Sequence, residues 1–392
     1  IWYFPQRIGF LHRFAIGCLY TRHKPKHWAE VYDEAVTLKK LVFYLAGYVA
    51  PELVETAARF ARPWEARPID LGYRGRRLPH YLGRGAQEKS LIADGMLSRA
   101  AGLGLTLDIA VDERQRLYGP AWHEFMANCK GMLGVEGGVS VIDREDRFRP
   151  AYERMIRENP SLSFDDFARE MGDPFTSMED RIDYRAFTPR HFEAAAFRNV
   201  QVLFEGRYDG MLVPGRHYIS LRKDFSNLPE VIAQFRNRAL TQSLVENTHA
   251  DLIASGAYTY QRFVGGLDAD ILAAGVRLPH MRAKSLDRVR AFLEDWAEFQ
   301  RRYYDWRMSI FHHPTASLPV KEKWQNVLAA HAEAVNGRTA LDYSTRRRRS
   351  AQARDSGFWE RLFRRAAFIA PDSEHARPRK PPSLMNRLLC WR

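Results

Sequence analysis

A single carboxylate stands near the start of an alanine-rich segment, "PRHFEAAAFRN", with basic residues close by. Glu193 lies three positions after Arg190, and the pattern predicts that Glu193 belongs to the first turn of an alanine-rich helix. In dinucleotide-binding folds, an acidic side chain at a junction of this kind binds the hydroxyls of a ribose. A carboxylate there also interacts favourably with the helix dipole, by about 0.3–1 kcal/mol, so Glu193 taken alone fits either role.

Glycines and basic residues in three other segments could bind a diphosphate. The segments are "GYRGRRLPHYLGRGAQEK" (72–89), "LGVEGG" (133–138) and "GRYDGMLVPG" (206–215). Cationic side chains neutralise phosphates, and glycines let the backbone approach them closely. The candidates are Arg74, Arg84, Lys89, Gly83, Gly85, Gly137 and Gly138, with Asp209, Gly210 and His217 from the last loop and the strand after it. Each taken singly is more often a solvated charge or a turn, but together they favour a nucleoside diphosphate site.

Strand-like and helical segments alternate from residue 69 to about 260, which predicts βαβ units and a parallel sheet. The fold class expected is α/β, a Rossmann-like sheet with flanking helices, whose ligands bind beyond the carboxyl ends of the strands. We expect 105–110, 131–135 and 200–204 to be neighbouring parallel strands, with 87–101 and 190–198 as flanking helices. Asn227, with Glu230 three positions on, predicts a capping box at the start of a further helix.

The same pattern divides the chain into four parts. Residues 69–266 form the Rossmann-like domain, interrupted by an acidic and aromatic insertion at about 139–188. Residues 1–68 are interpreted as the remnant of an N-terminal domain, an expectation that agrees with Ile1 as the first residue. Helical spacing predicts a helical extension over 267–343, and arginine-rich runs mark 344–392 as a basic tail.

Composition sets the broad class of protein. With 392 residues, of which 45% are hydrophobic, the chain can bury a sizeable core. A net charge of +13 favours polyanionic partners such as phosphate-bearing ligands, an anionic membrane surface or nucleic acid. The three cysteines, Cys18, Cys129 and Cys390, form neither a disulfide framework nor a metal site, so we expect a reducing, cytoplasmic compartment. No apolar run is long enough for a transmembrane helix.

Over 69–266, about half the chain, the sequence resembles the C-terminal half of GT-B glycosyltransferases, the CgeB-like and group 1 bacterial surface-polysaccharide enzymes. The matching segments are "GYRGR", "LYGPAWHEFMANCKGMLGVEGGVSVID", "PRHFEAAAFRNVQVLFEG" and "DGMLVPGRHYISLRKDFSNLPEVI". The resemblance assigns the donor ribose to Glu193, the donor sugar to Glu136 with Gly137, and the diphosphate to Arg84 and Lys89. Group 1 enzymes hold their two glutamates about eight residues apart, whereas 57 positions separate Glu136 from Glu193 here.

The resemblance also implies a reaction, with partners and a location. A sugar would pass from a nucleoside diphosphate sugar to a hydroxyl of a glycan or lipid-linked acceptor, with no metal or other cofactor. The enzyme would work at the cytoplasmic face of the membrane, with 1–68 belonging to an acceptor-side domain. Such a domain normally supplies the acceptor site and often the catalytic base, and 68 residues are too few for a complete one. No catalytic residue is therefore assigned.

Other segments suggest weaker alternatives. An Asp-x-Asp in "LDADI" (267–271) fits helix capping better than a metal–nucleotide site, and "FHHP" (311–314) has no further ligands at metal spacing. In the tail, "GFWERLFRRAAFIA" (357–370) predicts either a helix lying on an anionic membrane or one packed on the domain. Two rival functions stay open: a GT-B-like scaffold without activity, and a basic protein that binds nucleic acid, although no RNA-binding motif is present.

Overall fold

The computed structural model describes residues 18–32 and 40–273. The strands are β1 (Cys18–Thr21), β2 (Lys40–Phe43), β3 (Ile69–Arg74), β4 (Leu107–Ala110), β5 (Cys129–Gly134), β6 (Val200–Phe204) and β7 (Tyr218–Leu221). The helices are α1 (Trp28–Val31), α2 (Pro51–Arg59), α3 (Arg84–Leu97), α4 (Gly119–Asn128), α5 (Phe148–Glu158), α6 (Phe164–Met171), α7 (Asp173–Thr176), α8 (Pro189–Ala196), α9 (Leu228–Arg236), α10 (Arg238–His249) and α11 (Tyr260–Ala273). A π-helical turn, Ala250–Ala254, continues α10.

A five-stranded parallel sheet in the order β4-β3-β5-β6-β7 forms the centre of the molecule. This confirms the predicted α/β class with a parallel sheet. The predicted neighbours were partly wrong, because β3 lies between β4 and β5. Residues 131–135 and 200–204 do pair, with Gly131 opposite Val200. Periodicity along the chain predicts which segments are strands, but their lateral order depends on how the crossovers pack.

Helices cover both faces of the sheet, as its apolar strands require. Side chains of α3, α9 and α10 bury one face, where Ile92, Met96 and Phe235 contact β3, β6 and β7. On the other face, α2, α4, α8 and the π-helical turn form a second core around Phe125 and Phe192. Strands buried on both faces are typical of parallel sheets, which explains why these segments are mostly apolar and do not alternate strictly with polar residues.

The insertion at 139–188 forms a small core of its own and packs on the segment that follows β3. Its helices α5, α6 and α7 contribute Phe148, Phe167 and Phe175, all buried, and the segment after β3 contributes Tyr81 and Leu82. Rings in this cluster pack edge to face, for example Phe167 against Phe175 with centroids 5.2 Å apart. The insertion is thus an ordered part of the domain at the end of the sheet where ligands of such folds bind.

The segment before β3 forms a parallel pair, β1 with β2, and α11 returns to it. The rings of Tyr48 and Phe263 stack at 4.4 Å, and the Tyr20 hydroxyl donates to Asp270 at 2.6 Å. The capping interpretation of "LDADI" was wrong, because Asp268 and Asp270 lie inside α11 and Asp270 binds Lys40. The division of the chain into domains stays a prediction, and residues 274–392 with "FHHP" and the basic tail lie outside the described residues.

The capping box at Asn227 is absent. Asn227 precedes α9, but its side chain accepts from the Arg222 N–H at 2.8 Å and donates to the Ser220 carbonyl at 2.9 Å. The amide therefore closes the turn after β7 instead of capping the helix. None of the helices that the structure describes is long and apolar enough to cross a membrane.

Candidate functional site

The order of the strands creates a crevice beside β3. The chain leaves β3 for β4 on one side and then crosses to β5 on the other, so the loops after β3 and β5 diverge. In open parallel sheets, ligands bind in this crevice, at the edge formed by the carboxyl ends of the strands. We call this edge the carboxyl edge and the opposite one the amino edge. The helices that follow β3, β4 and β5 all begin at the carboxyl edge.

At the carboxyl edge, Glu193 and Arg190 of α8 meet a tryptophan of α4. The predicted first-turn position of Glu193 was wrong, because α8 begins at Pro189 and its first turn holds no acidic residue. The Trp122 indole N–H donates to Glu193 Oε2 at 3.1 Å, and the Arg190 guanidinium lies 5.2 Å from the centroid of a Trp122 ring. Arg190 also donates to the Arg74 carbonyl at the end of β3, which ties α8 to the crevice. Burial raises the pKa of the Glu193 carboxyl, while Arg190 and the Trp122 hydrogen bond oppose the shift.

Lys89, on α3, brings a second cation to the same place. Its ammonium has no hydrogen-bond or salt-bridge partner among the described residues. Burial and the nearby Arg76, Arg190 and Arg185 lower its pKa to about 8. A half-buried cation surrounded by other cations is electrostatically costly until an anion neutralises it. Lys89 and Arg190 are therefore suited to bind an anionic group beside Glu193.

Glu136 lies at this edge directly after β5 and belongs to a buried network of charges. Its Oε1 accepts from the backbone N–H groups of Tyr208 at 2.8 Å and Arg207 at 3.2 Å, and Oε2 lies 3.9 Å from Arg185 Nε. Arg185 also pairs with Glu88, whose other oxygen lies 2.9 Å from Lys223 Nζ. Through Oε1, Glu136 anchors the loop after β6, while the ion pairs of Arg185 connect this loop to α3.

Sequence reasoning missed Trp122, Glu88, Arg185 and Lys223. Trp122 had a usable signal, because a tryptophan near the start of a helix that begins at the carboxyl edge is well placed to contact a ligand. Arg185 had none. It lies in the insertion, 97 positions from Glu88, and only the folding of the insertion over α3 brings the two together.

The start of α3 is covered by the insertion. The Arg84 N–H donates to Glu179 at 2.7 Å, and the Gly85 N–H donates to the Ser140 hydroxyl at 2.7 Å. Arg84 is exposed, pairs with Asp165 at 2.9 Å and packs over Phe164. The structure therefore places Arg84 and Gly83 against the insertion, and Glu179 supplies the negative charge that a diphosphate would bring to this helix.

Arg74 and the glycines after β5 contact the protein itself. Arg74 donates to the carbonyls of Asp108 at 3.0 Å and Gln115 at 3.1 Å, pairs with the Asp108 carboxylate, and packs over Phe125. Gly137 forms an antiparallel bridge with Ala186, and Gly138 adopts a positive φ of 89° against Tyr184. The close approach that these glycines permit is to the end of the insertion.

The structure does not bring the remaining candidates to Glu193. Asp209 and Gly210 follow β6, where the Asp209 carboxylate accepts from the Phe187 N–H at 3.0 Å and pairs with Arg22 at 3.2 Å. His217 precedes β7 and so lies at the amino edge. Its Nδ1 accepts from the Val213 N–H at 3.0 Å, and Nε2 contacts Asp251 at 2.8 Å. Asp209 and His217 thus hold the two ends of the loop that joins β6 to β7.

The carboxyl edge of the Rossmann-like parallel sheet therefore brings together groups that could bind an anionic ligand carrying hydroxyl groups. A carboxylate that can accept hydroxyl hydrogen bonds adjoins two cations in a crevice lined by an indole. Among residues 18–32 and 40–273, no group of three or more histidine, cysteine or carboxylate side chains could hold a metal ion.

Comparisons with known proteins give distant structural likenesses. The match to a crystal structure of TarM covers 67% of this chain and 44% of the TarM chain, with 11% sequence identity and a TM-score of 0.33. The match to an alpha,alpha-trehalose-phosphate synthase (UDP-forming) from Burkholderia vietnamiensis covers 70% of this chain and 64% of the synthase chain, with 13% identity and a TM-score of 0.30. The chain thus spans less than two thirds of either structure. No family model and no curated protein matches the sequence.

Proposed function

We propose that the protein is a glycosyltransferase of GT-B type that uses a nucleoside diphosphate sugar as donor. The observation that carries this proposal is the junction of α8 with the crevice. There, a half-buried carboxylate bound by Trp122 adjoins Arg190 and Lys89. A nucleoside diphosphate presents two ribose hydroxyls and, a few bonds away, a diphosphate. The carboxylate would face the hydroxyls, and the two cations would face the diphosphate.

In the proposed reaction, the oxygen of an acceptor hydroxyl bonds to the anomeric carbon of the donor sugar. The bond from that carbon to the diphosphate oxygen breaks, and the diphosphate keeps the electron pair while the hydroxyl proton passes to a base. Glu193 would hold the ribose, and Lys89 and Arg190 would stabilise the charge that develops on the leaving diphosphate. These three are proposed as binding and charge-stabilising residues, and no residue is assigned as the base.

The acceptor is proposed to be a cell-surface glycan or a lipid-linked precursor, reached from the cytoplasmic face of the membrane. This part of the proposal comes from the sequence resemblance. The described domain would supply the donor side of the reaction. Arg84, Glu136, Gly137, Gly138, Asp209 and His217 contact other parts of the protein, so this proposal does not use them as donor contacts, and it gives no role to Gly210.

A thermal-shift screen against UDP, GDP, CMP and dTDP tests the proposal directly. A nucleotide at a hundredfold excess over its Kd should stabilise the protein by about 2.7 kcal/mol. Stabilisation by at least one nucleoside diphosphate, followed by hydrolysis or transfer of the matching sugar nucleotide, is the expected result. Binding without any turnover would support an inactive scaffold. Stabilisation by oligonucleotides alone, in a salt-dependent way, would contradict the proposal and support nucleic-acid binding.

The lowered pKa of Lys89 predicts a pH dependence of diphosphate binding. The charged ammonium binds the anion, and a pKa of about 8 means that this charge is lost as the pH rises through 8, well below the ordinary lysine value of 10.5. We expect the affinity for a nucleoside diphosphate to fall severalfold between pH 7 and pH 9, measured by calorimetric titration. The free nucleoside, which has no phosphate, should show little change.

Two variants complete this test. Lys89→Arg keeps its charge throughout this pH range, so its affinity should stay level between pH 7 and pH 9. Lys89→Ala should bind the diphosphate weakly at both pH values and the nucleoside nearly as well as wild type does. A fall in affinity above pH 8 that persists in Lys89→Arg would mean that another group titrates.

A further inference from the structure

The amino edge of the sheet carries a second cluster of cations, opposite the crevice described above. A pocket of about 200 Å³ opens there, between the segment before β3, the turn before β6 and the first turns of α10. Its lining residues are Arg62, Trp64, Arg67, Arg198, Arg238, Gln242, Val245 and Glu246. Four arginines and one glutamate give the lining a strongly positive charge.

The arginines of this pocket have no carboxylate partner within salt-bridge distance in the described part of the chain. The side chains of Arg62 and Arg238 make no hydrogen bond there either, and Arg198 contacts only His249 Nδ1, at 3.5 Å. The acid of the lining, Glu246, accepts instead from Gln242 Nε2 at 2.8 Å. Like charges gathered around one cavity repel each other, so the cluster favours a multivalent anion.

Two of the guanidinium groups are held in place. Arg238 packs 4.5 Å from the centroid of a Trp64 ring, and that tryptophan packs in turn on Phe235 of α9. Arg67 is buried and donates to the carbonyls of Cys129 at 3.0 Å, Phe197 at 3.1 Å and Arg62 at 3.1 Å. A fixed guanidinium loses less conformational freedom on binding, and its planar fork matches two oxygens of a phosphate.

We propose that this amino-edge pocket is a binding site for a phosphate-bearing anion, separate from the donor site and independent of the proposed glycosyl transfer. Arg62, Arg198 and Arg238 would bind the phosphate oxygens. Trp64 lines one side of the pocket, and the buried Arg67 adds positive charge. The size of the pocket suits one or two phosphate groups. Such a group could come from a free phosphate compound or from the headgroup of an anionic lipid.

Titration of the protein with pyrophosphate tests the site. The double variant Arg62→Ala/Arg238→Ala should lose a binding event present in wild type, or weaken it by about tenfold or more. Both side chains are exposed, so the melting temperature should fall only slightly, through loss of the contact between Arg238 and Trp64. The matched control, Arg169→Ala, removes an exposed arginine that pairs with Asp166 and should bind as wild type does. Lys89→Ala should retain the event, which separates this site from the carboxyl edge.

A sedimentation assay distinguishes the two sources of phosphate. Vesicles of phosphatidylcholine, with and without a phosphatidylinositol phosphate, are mixed with wild type and with the double variant. Loss of sedimentation in the double variant identifies a lipid headgroup, whereas pyrophosphate binding without sedimentation identifies a free phosphate compound. Titrations of wild type and the double variant that coincide, or an absence of pyrophosphate binding beyond an event that Lys89→Ala removes, would overturn the proposal.

Discussion

Glu193→Gln is expected to weaken nucleoside diphosphate binding by tenfold or more while leaving the fold intact. The carboxylate would accept hydrogen bonds from the ribose hydroxyls, and bonds to a charged acceptor contribute about 1.5–3 kcal/mol each. An amide at this position can still accept from the Trp122 indole, which Glu193 does now at 3.1 Å. The melting temperature should therefore change little, and calorimetric titration should record the lost affinity.

Glu124→Gln is the matched control for this experiment. Glu124 lies on α4, two positions after Trp122, and is exposed, so its replacement removes the same charge without touching the crevice. Its affinity should equal that of wild type. If Glu193→Gln also binds as wild type does, this glutamate only stabilises its helix, and the proposed donor site is wrong at its central residue.

The raised pKa of Glu193 predicts that the affinity for a nucleoside diphosphate also falls at acidic pH. Burial disfavours the charged form, so the carboxylate takes up a proton at a higher pH than an exposed glutamate does. Affinity that depends on the charged form should decline as the pH falls through that raised pKa. The Glu193→Gln variant has no such proton to bind, so its weaker binding should lack this contribution.

Gly138→Ala is expected to destabilise the protein by about 3 kcal/mol or more, because two costs combine at this position. The backbone has a φ of 89°, which residues with a side chain rarely adopt, and an added Cβ would overlap the carbonyl oxygen of Tyr184. That carbonyl belongs to backbone and cannot rotate away. The loop after β5 would separate from the end of the insertion, which a chemical denaturation curve would report as a lower midpoint.

Gly210→Ala separates these two costs. Gly210 also has a positive φ, 77°, but an added Cβ there would meet no atom within 4 Å. We expect a loss of only about 1 kcal/mol, from the backbone conformation alone. Equal losses in the two variants would show that the contact between the insertion and the loop after β5 is loose, and that the insertion does not help to shape the crevice.

Local pattern was sufficient for the elements and for one part of the site. Apolar runs predicted the parallel sheet, and an acidic residue near the start of an alanine-rich helix singled out Glu193 as a candidate ligand-binding residue. These features depend on residues close together in the chain. Hydrophobic periodicity and helix signals act over a few residues, so they can be read without knowing what packs against them.

The partners of the charged residues required the tertiary structure. Arg84 and Lys89 are five positions apart and looked alike as phosphate ligands, yet Arg84 pairs with Asp165 of the insertion while Lys89 has no partner in the described residues. His217 looked like a site residue but precedes β7 at the amino edge, because β6 and β7 are parallel neighbours and the loop between them must return from the carboxyl edge to the amino edge.

By itself, the sequence determined that the chain builds a Rossmann-like sheet and that Glu193 belongs to a helix preceding one of its strands. Only the tertiary structure decided that β3 separates β4 from β5, that Trp122 binds Glu193, and that Glu179 and Arg185 of the insertion contact α3. The physical reason is the range of each interaction. Helix and strand formation depends on near neighbours, whereas a salt bridge or a strand order joins residues that sequence spacing leaves unrelated.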